Sequence, residues 1–213
     1  MSKYQYILLD WDGNLAKTLD IWLEACHAPL IKRGVHLSDE EIAASFGAFS
    51  AHIKQWGFGD EIDEFLSEAD EIAKAKLPNV ELYPDALEVL EELKVQGKKL
   101  ALITTSPHEN IEHLLQKYDM LRLFDVLIAS DDVSHHKPHP EPLEKALEKL
   151  NGTKDKAVMV GDSDKDLGAA QNAKIDSILF YPPEHKKFYD IEKLKKHNPA
   201  HIIDDFRQLL NLV

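Results

Sequence analysis

The stretch Tyr4–Leu15 constrains this chain most: Tyr-Gln-Tyr-Ile-Leu-Leu runs straight into Asp10-Trp11-Asp12-Gly13-Asn14-Leu15. A short apolar run without polar interruption reads as a strand covered on both faces, the mark of a parallel sheet. Open parallel sheets bind ligands beyond the carboxyl ends of their strands, and Asp10 and Asp12 fall there. Gly13 lets the backbone turn away sharply. Two carboxylates at the rim of a buried strand cost desolvation energy unless something compensates them, and a bound cation does so. In extended backbone, residues two apart share a side. Both acids can then face one pocket, which suits a nucleophile and a proton carrier. An Asp-Gly turn is the plain alternative.

Further along, apolar runs at residues 99–104, 124–129, 157–162 and 176–180 predict strands, with a short edge strand at Ile202–Ile203. Helical spacing predicts helices over 86–93, 108–118, 142–150, 166–173 and 206–212. Strand and helix alternating with short gaps is the pattern of parallel α/β units. Residues 16–82 hold helical patterns and no convincing strand. There, Leu19 begins a helix that runs to Gly34, with Thr18 or Asp20 as its cap. Ser38-Asp39-Glu40-Glu41 is a capping box whose helix ends at Gly47. Helices over 50–56 and 60–75 follow. The expected architecture is α/β: a Rossmann-like parallel-sheet core from residues 1–15 and 83–213, with an inserted α-helical bundle cap, residues 16–82. Leaving the end of a central first strand, such a cap would cover Asp10 and Asp12.

The net charge of -13 opposes a broad nucleic-acid surface, which needs clustered Lys and Arg. It leaves room for small phosphorylated compounds. The single Cys26 excludes an intrachain disulfide and a thiolate metal cluster. No apolar run reaches the roughly 18 residues that a membrane span needs, and no secretory leader is visible. A cytoplasmic protein is the expectation, while oligomeric state is not legible.

A second predicted strand also delivers acids. Gly161-Asp162-Ser163 ends it, and Asp166 lies four residues beyond Asp162. If Asp166 sits in the next helix's first turn, it faces the same cleft. Three acids around one point suggest a hard cation with oxygen ligands, most plausibly Mg2+; helix capping is the plain alternative. Thr104-Thr105-Ser106 brings hydroxyls to another strand end, with Thr104 suited to an anionic oxygen and Ser106 to the following helix cap. Lys137 stands in His135-His136-Lys137-Pro138-His139-Pro140, where the prolines restrict the backbone and pre-position the ammonium to offset the acids and hold a phosphate. Three histidines in five residues also raise a zinc reading. Against it, no cysteine accompanies them, and adjacent His135 and His136 cannot easily share one ion.

These four motifs together resemble the haloacid-dehalogenase-like hydrolase superfamily over the whole chain. Asp10-Trp11-Asp12-Gly13-Asn14-Leu15 is similar to its Asp-x-Asp-Gly-Thr-Leu motif, with Asn14 in the usual threonine position. Leu102-Ile103-Thr104-Thr105, Lys137-Pro138-His139-Pro140 and Gly161-Asp162-Ser163-Asp164-Lys165-Asp166 resemble the second, third and fourth in order. The resemblance implies an Mg2+-dependent phosphatase. Asp10 would attack phosphorus and become an aspartyl phosphate. Asp12 would protonate the leaving oxygen and then activate water. Thr104, Thr105 and Lys137 would bind phosphate. Asp10, Asp162, Asp166 and the main-chain carbonyl of Asp12 would bind the metal. Trp11 would lend its amide to the phosphate and its ring to the lid or substrate. Asp12 separates this chain from the dehalogenase and phosphonate-cleaving branches, which lack an acid there.

The resemblance also implies that a small helical cap confines the substrate to small molecules, phosphoglycolate-like or sugar-phosphate-like. Arg33, His52, Lys54, Gln55 and Trp56 are the cap's candidate substrate contacts, and Ser45–Ser50 is a Gly-containing break able to reach the cleft. Three rivals stand beside the phosphatase. A β-phosphoglucomutase-like phosphomutase is disfavoured because Ala16–Trp22 lacks the arginine of the usual element. A nucleoside monophosphate phosphatase would use Trp11 or Trp56 to stack a base. A non-catalytic binding protein on the same scaffold is the third.

Overall fold

The computed structural model describes residues 3–46 and 49–213. The described residues include a sheet of six parallel strands: β1 (Tyr6–Leu9), β2 (Lys99–Ile103), β3 (Val126–Ile128), β4 (Ala157–Gly161), β5 (Asp176–Phe180) and β6 (His201–Ile203). Their order is β3-β2-β1-β4-β5-β6, so the first strand is central, between β2 and β4. Side chains alternate across a strand. Leu8 joins the cluster on one face, and Ile7 and Leu9, on the other, are also fully buried. That two-sided burial is why the strand reads as an unbroken apolar run.

Four longer helices accompany the sheet: α5 (Ala86–Val95), α6 (His108–Lys117), α7 (Glu141–Leu150) and α8 (Asp164–Ala173). One face of the sheet is closed by α7 and α8. Leu143, Ala146 and Leu147 from one helix, and Ala169, Ala170 and Ala173 from the other, meet Leu8, Ala101, Ile103 and Met159. The strands stop one residue short of the expected acids and hydroxyls, yet those residues stay tied to the sheet. Asp10 donates its amide to the Val160 carbonyl at 3.1 Å, and Thr104 to that of Ile128 at 3.0 Å. The expected last helix is instead a 3-10 segment, Phe206–Asn211, capped by Asp205, which accepts the Arg207 N–H at 2.7 Å.

Contacts divide the chain into two units. The sheet unit comprises Met1–Ala16, Leu82–Lys186 and Asp190–Val213; the helical unit comprises Lys17–Glu81 and Lys187–Tyr189. Ala16 and Leu82 thus fall with the sheet, where they bridge each other. The helical unit contains α1 (Leu19–Lys32), α2 (Asp39–Ala43), α3 (Phe49–Gln55) and α4 (Ile62–Lys76), which a 3-10 turn at Gly59–Glu61 precedes. Thr18 precedes α1 without a capping side-chain bond. Ser38 and Glu41 form the expected capping box at α2. Gly47 and Ala48, in the expected break between helices, lie outside the described residues. No described helix is long and apolar enough to cross a membrane.

Residues 187–189 join the helices for a packing reason. The Phe188 ring is buried with Leu19, Leu23, Leu30, Ile42, Ile53 and Phe65. Lys187 donates to Asp20 at 2.6 Å. Truncating a buried aromatic leaves a cavity and typically costs about 3–5 kcal/mol. Phe188→Ala is expected to destabilise the helical unit by about 3 kcal/mol. Chemical denaturation followed by Trp fluorescence tests this, and a shift within about 0.5 kcal/mol would remove Phe188 from that core.

Candidate active site

Asp10, Asp162 and Asp166 converge just beyond the ends of β1 and β4. Each offers a carboxylate oxygen, and these oxygens lie within 4.8 Å of one another. All three are buried, with Asp166 at 0% exposure. Lys137 reaches the same point. Its ammonium lies 2.8 Å from Asp10 Oδ1 and donates to Asp166 Oδ1 at 2.7 Å and the Ile103 carbonyl at 3.0 Å. Three donors meet three acceptors, so this buried cation is fully satisfied.

The helix start explains how Asp166 gets there. Ser163 precedes α8 and donates both its N–H and its hydroxyl to Asp166 Oδ2, at 3.2 and 2.6 Å. Asp166 accordingly keeps one oxygen for the helix terminus and one for Lys137. Gly161 makes room: a Cβ there would lie 2.4 Å from both Cβ and Cγ of Asp166. Neither Ser163 nor Gly161 is singled out by sequence reasoning, although both flank Asp162.

The turn after β1 is equally specified. Gly13 adopts φ +70°, a left-handed conformation that suits glycine. Asn14, fully buried, donates its side-chain amide to the carbonyls of Asp10 (3.0 Å) and Val160 (3.2 Å). It clamps the ends of β1 and β4, which deliver Asp10 and Asp162. A threonine hydroxyl has only one proton to donate, so asparagine at this position does something a threonine cannot.

The other expected residues differ in burial and partners. The Trp11 ring is buried, at 1% exposure, so it is not presented to a ligand. Its amide donates to Asp10 Oδ1 at 2.7 Å. Thr104 is buried, and its hydroxyl accepts the Ser106 N–H at 3.1 Å; Thr105 is half-buried. Ser106 does not cap α6. Pro107 holds the cap position, and Asp131, which sequence reasoning missed, accepts the His108 N–H at 3.1 Å. Asp12 is half-buried, and its carboxylate stands outside the converging set of three.

In the helical unit, Arg33 is engaged by acids and a ring of that unit. Its guanidinium pairs with Glu61 (2.7 Å), Glu64 (3.3 Å) and Glu68 (3.2 Å) and lies over the Phe65 ring, 4.0 Å from its centroid. Trp56 is half-buried and packs edge-on against Phe49 with centroids 6.1 Å apart, while His52 tilts onto it at 5.7 Å. Lys54 and Gln55 are exposed.

Electrostatics shows what the acid cluster lacks. Burial, then the Asp166 charge, pushes the Asp10 carboxyl up to about 8, although Lys137 opposes this. Burial and the neighbouring Asp166 and Asp10 also raise Asp162 well above the usual carboxylate range. Burial acts to raise Asp166 too, but Lys137 and the two Ser163 donors outweigh it and hold this acid low. Lys137 likewise stays protonated: burial opposes its charge, and Asp10 and Asp166 more than restore it. Lys137 pairs directly with Asp10 and Asp166, while the Lys165 charge also acts on Asp166 and Asp162. Among the described residues, Asp162 Oδ2 finds no hydrogen-bond partner, although it is buried. An all-carboxylate set with an orphan oxygen fits a small hard divalent cation, as Mg2+ is.

The same imbalance has a measurable sign. The folded pKa of Asp10 lies above its unfolded value of about 3.9. Its contribution to stability is therefore fully present below about pH 4 and lost as pH rises through about 8. In chelator, Tm is expected to fall between about pH 5 and pH 8 more steeply for wild type than for Asp10→Asn, and Mg2+ should close the gap. Parallel slopes would remove the strain from Asp10. Gly161→Ala should displace Asp166 and lower turnover by about 10²-fold. Steady-state rates within about twofold of wild type would contradict the steric account.

The haloacid dehalogenase-like hydrolase family model matches residues 7–180. A provisionally named pyrophosphatase PpaX of Caldanaerobacter subterraneus is 30% identical over 213 residues, 99% of this chain and 95% of that protein. The pyrophosphatase PpaX of Bacillus mycoides is 35% identical over 134 residues, 63% of this chain and 60% of that protein, so this match spans less than two thirds of the relative. Among solved structures, a provisionally named phosphoglycolate phosphatase from Lactobacillus plantarum has a TM-score of 0.84 at 25% identity, covering 100% of both chains.

Proposed function

The chain belongs to the haloacid dehalogenase-like hydrolases, and from there we propose that it is an Mg2+-dependent phosphatase of a small phosphate monoester, phosphoglycolate-like or sugar-phosphate-like. The observation that carries this reading is the buried constellation of Asp10, Asp162 and Asp166 around the Lys137 ammonium.

In the proposed reaction, an Asp10 carboxylate oxygen attacks phosphorus and the bond to the ester oxygen breaks. Asp12 gives its proton to that leaving oxygen. It then takes a proton from water, which attacks the phosphoryl group on Asp10 and releases inorganic phosphate with Asp10 restored. Lys137 and Thr104 bind phosphoryl oxygens. An incoming oxygen would replace the neutral Ile103 carbonyl, the longest of the three Lys137 contacts. Asp10, Asp162, Asp166 and the main-chain carbonyl of Asp12 would hold Mg2+, which when bound neutralises charge on the equatorial oxygens. Phosphoryl transfer rests on positioning and charge compensation, and both are built into these strand ends. A cytoplasmic setting and a small phosphorylated metabolite suit the single cysteine and the acidic surface charge.

A second reading is hydrolysis of pyrophosphate. It is favoured by the pyrophosphatase name of a relative that aligns over 99% of this chain. The same residues would serve, with phosphate as the leaving group.

Phosphate release should be measured from 2-phosphoglycolate, hexose and pentose phosphates, glycerol phosphates, nucleoside monophosphates and pyrophosphate, with Mg2+ or chelator. Release is expected to need Mg2+ and to fall about 10⁴-fold or more in Asp10→Asn. The ranking of kcat/KM decides between a monoester and pyrophosphate. Full turnover in the variant would sink the nucleophile assignment, and no release from any compound would sink the phosphatase reading.

A further inference from the structure

Apart from the acid cluster, the described residues hold one other convergent set of metal-ligating side chains: His135, His139 and Glu141. One ring nitrogen from each histidine and one Glu141 oxygen lie within 4.8 Å of one another. The two rings are stacked, with centroids 4.5 Å apart and planes 27° apart. Stacking sets two imidazole donors side by side.

Glu141 organises both rings from the first residue of α7. Its carboxylate accepts the backbone N–H of Ser134 at 2.8 Å and of His135 at 3.0 Å. The same Oε2 lies 2.8 Å from His135 Nδ1. Its own N–H donates to His139 Nδ1 at 3.2 Å. An ion held by His135 Nδ1 and Glu141 Oε2 would take the place of the proton these two atoms share. Between the rings, the His139 amide closes a turn on the His136 carbonyl at 2.9 Å, and Pro138 and Pro140 have their φ angles fixed by their rings. His136 supplies a carbonyl to this turn and stands outside the set. The geometry therefore bypasses the obstacle of adjacent histidines, by pairing residues four apart.

We infer that His135, His139 and Glu141 form a second, solvent-facing metal site for a borderline transition-metal cation of the Zn2+ class. Two imidazoles and one carboxylate, with water completing the shell, is a ligand set suited to Zn2+. Mg2+ prefers oxygen ligands and suits the buried acids instead. In a tetrahedral shell, ligand atoms about 2.1 Å from the ion lie about 3.4 Å apart, so a pair at the 4.8 Å limit would close by up to about 1.4 Å. Both histidines are exposed, so the move breaks no buried packing. Lys137 lies between them in sequence. An ion here would tie together the two ends of the segment that aims the lysine.

The site stands or falls independently of the phosphatase reading, because its test is binding. Zn2+ would be titrated calorimetrically into wild type, His135→Ala, His139→Ala and Asp162→Asn at saturating Mg2+. One Zn2+ per chain is expected, with affinity at least about tenfold weaker in each histidine variant and unchanged in Asp162→Asn. Co2+ in place of Zn2+ should give visible absorption bands in wild type that both histidine variants lose. Circular dichroism on the variants checks that the fold is kept, as exposed positions lead one to expect. Unaltered Zn2+ affinity in both histidine variants would overturn the inference. So would absence of Zn2+ binding, or an equal loss in Asp162→Asn, which would put the ion in the acid cluster.

Discussion

The carboxyl end of the sheet is held by a single ammonium. Lys137 is buried with only 3% of its side chain exposed, and it joins Asp10 after β1, Ile103 at the end of β2 and Asp166 on α8. Burying such a charge is costly, and the arrangement survives because every proton of the ammonium has an acceptor. Yet the compensation is incomplete: Lys137 pairs with Asp10 and Asp166, and Asp162 stays raised well above the usual carboxylate range. A site optimised for the stability of the bare chain would have fewer carboxylates or more donors. The surplus negative charge suits a hard divalent cation.

The rest of the local structure serves this balance. Asn14 pins the two strand ends that carry opposing acids. Ser163 fixes Asp166, and the missing side chain of Gly161 leaves it space. Each acts through hydrogen bonding or exclusion rather than through chemistry on a ligand. Together they turn flexible side chains into a fixed field, which is the property that electrostatic catalysis requires.

Much of the fold was legible because its signals are local. Continuous apolar runs mark strands buried on both faces, and the α/β order follows from their alternation with helical spacing. The convergence of Asp10, Asp162 and Asp166 could also be anticipated, since each acid follows a strand end or opens a helix. What escaped depends on partners far away in sequence. Of the two carbonyls that engage Asn14, one follows β1 and the other lies in β4. Arg33 looks like a loose cation at a helix end until Glu61 of the 3-10 turn and Glu64 and Glu68 of α4 surround it. Asp131 caps α6 from 23 residues beyond His108. The last helix was misjudged for a different reason: apolar spacing over 206–212 does not distinguish α from 3-10 winding in a segment so short.

Phe188 bears on how such proteins can be rebuilt. A cap inserted as one continuous segment is a portable module: cut at two points, it can be exchanged between relatives or deleted to leave a minimal core. This helical unit has a second, three-residue piece that arrives from the far end of the chain. Excising residues 17–81 would leave Phe188 with no core to fill, as a new apolar spot on the surface. Transplanting those residues alone would carry away a bundle with a hole where that ring belongs. Lineages that trade caps by simple recombination would have to preserve this piece as well, so the architecture ties the evolution of one unit to a short sequence embedded in the other.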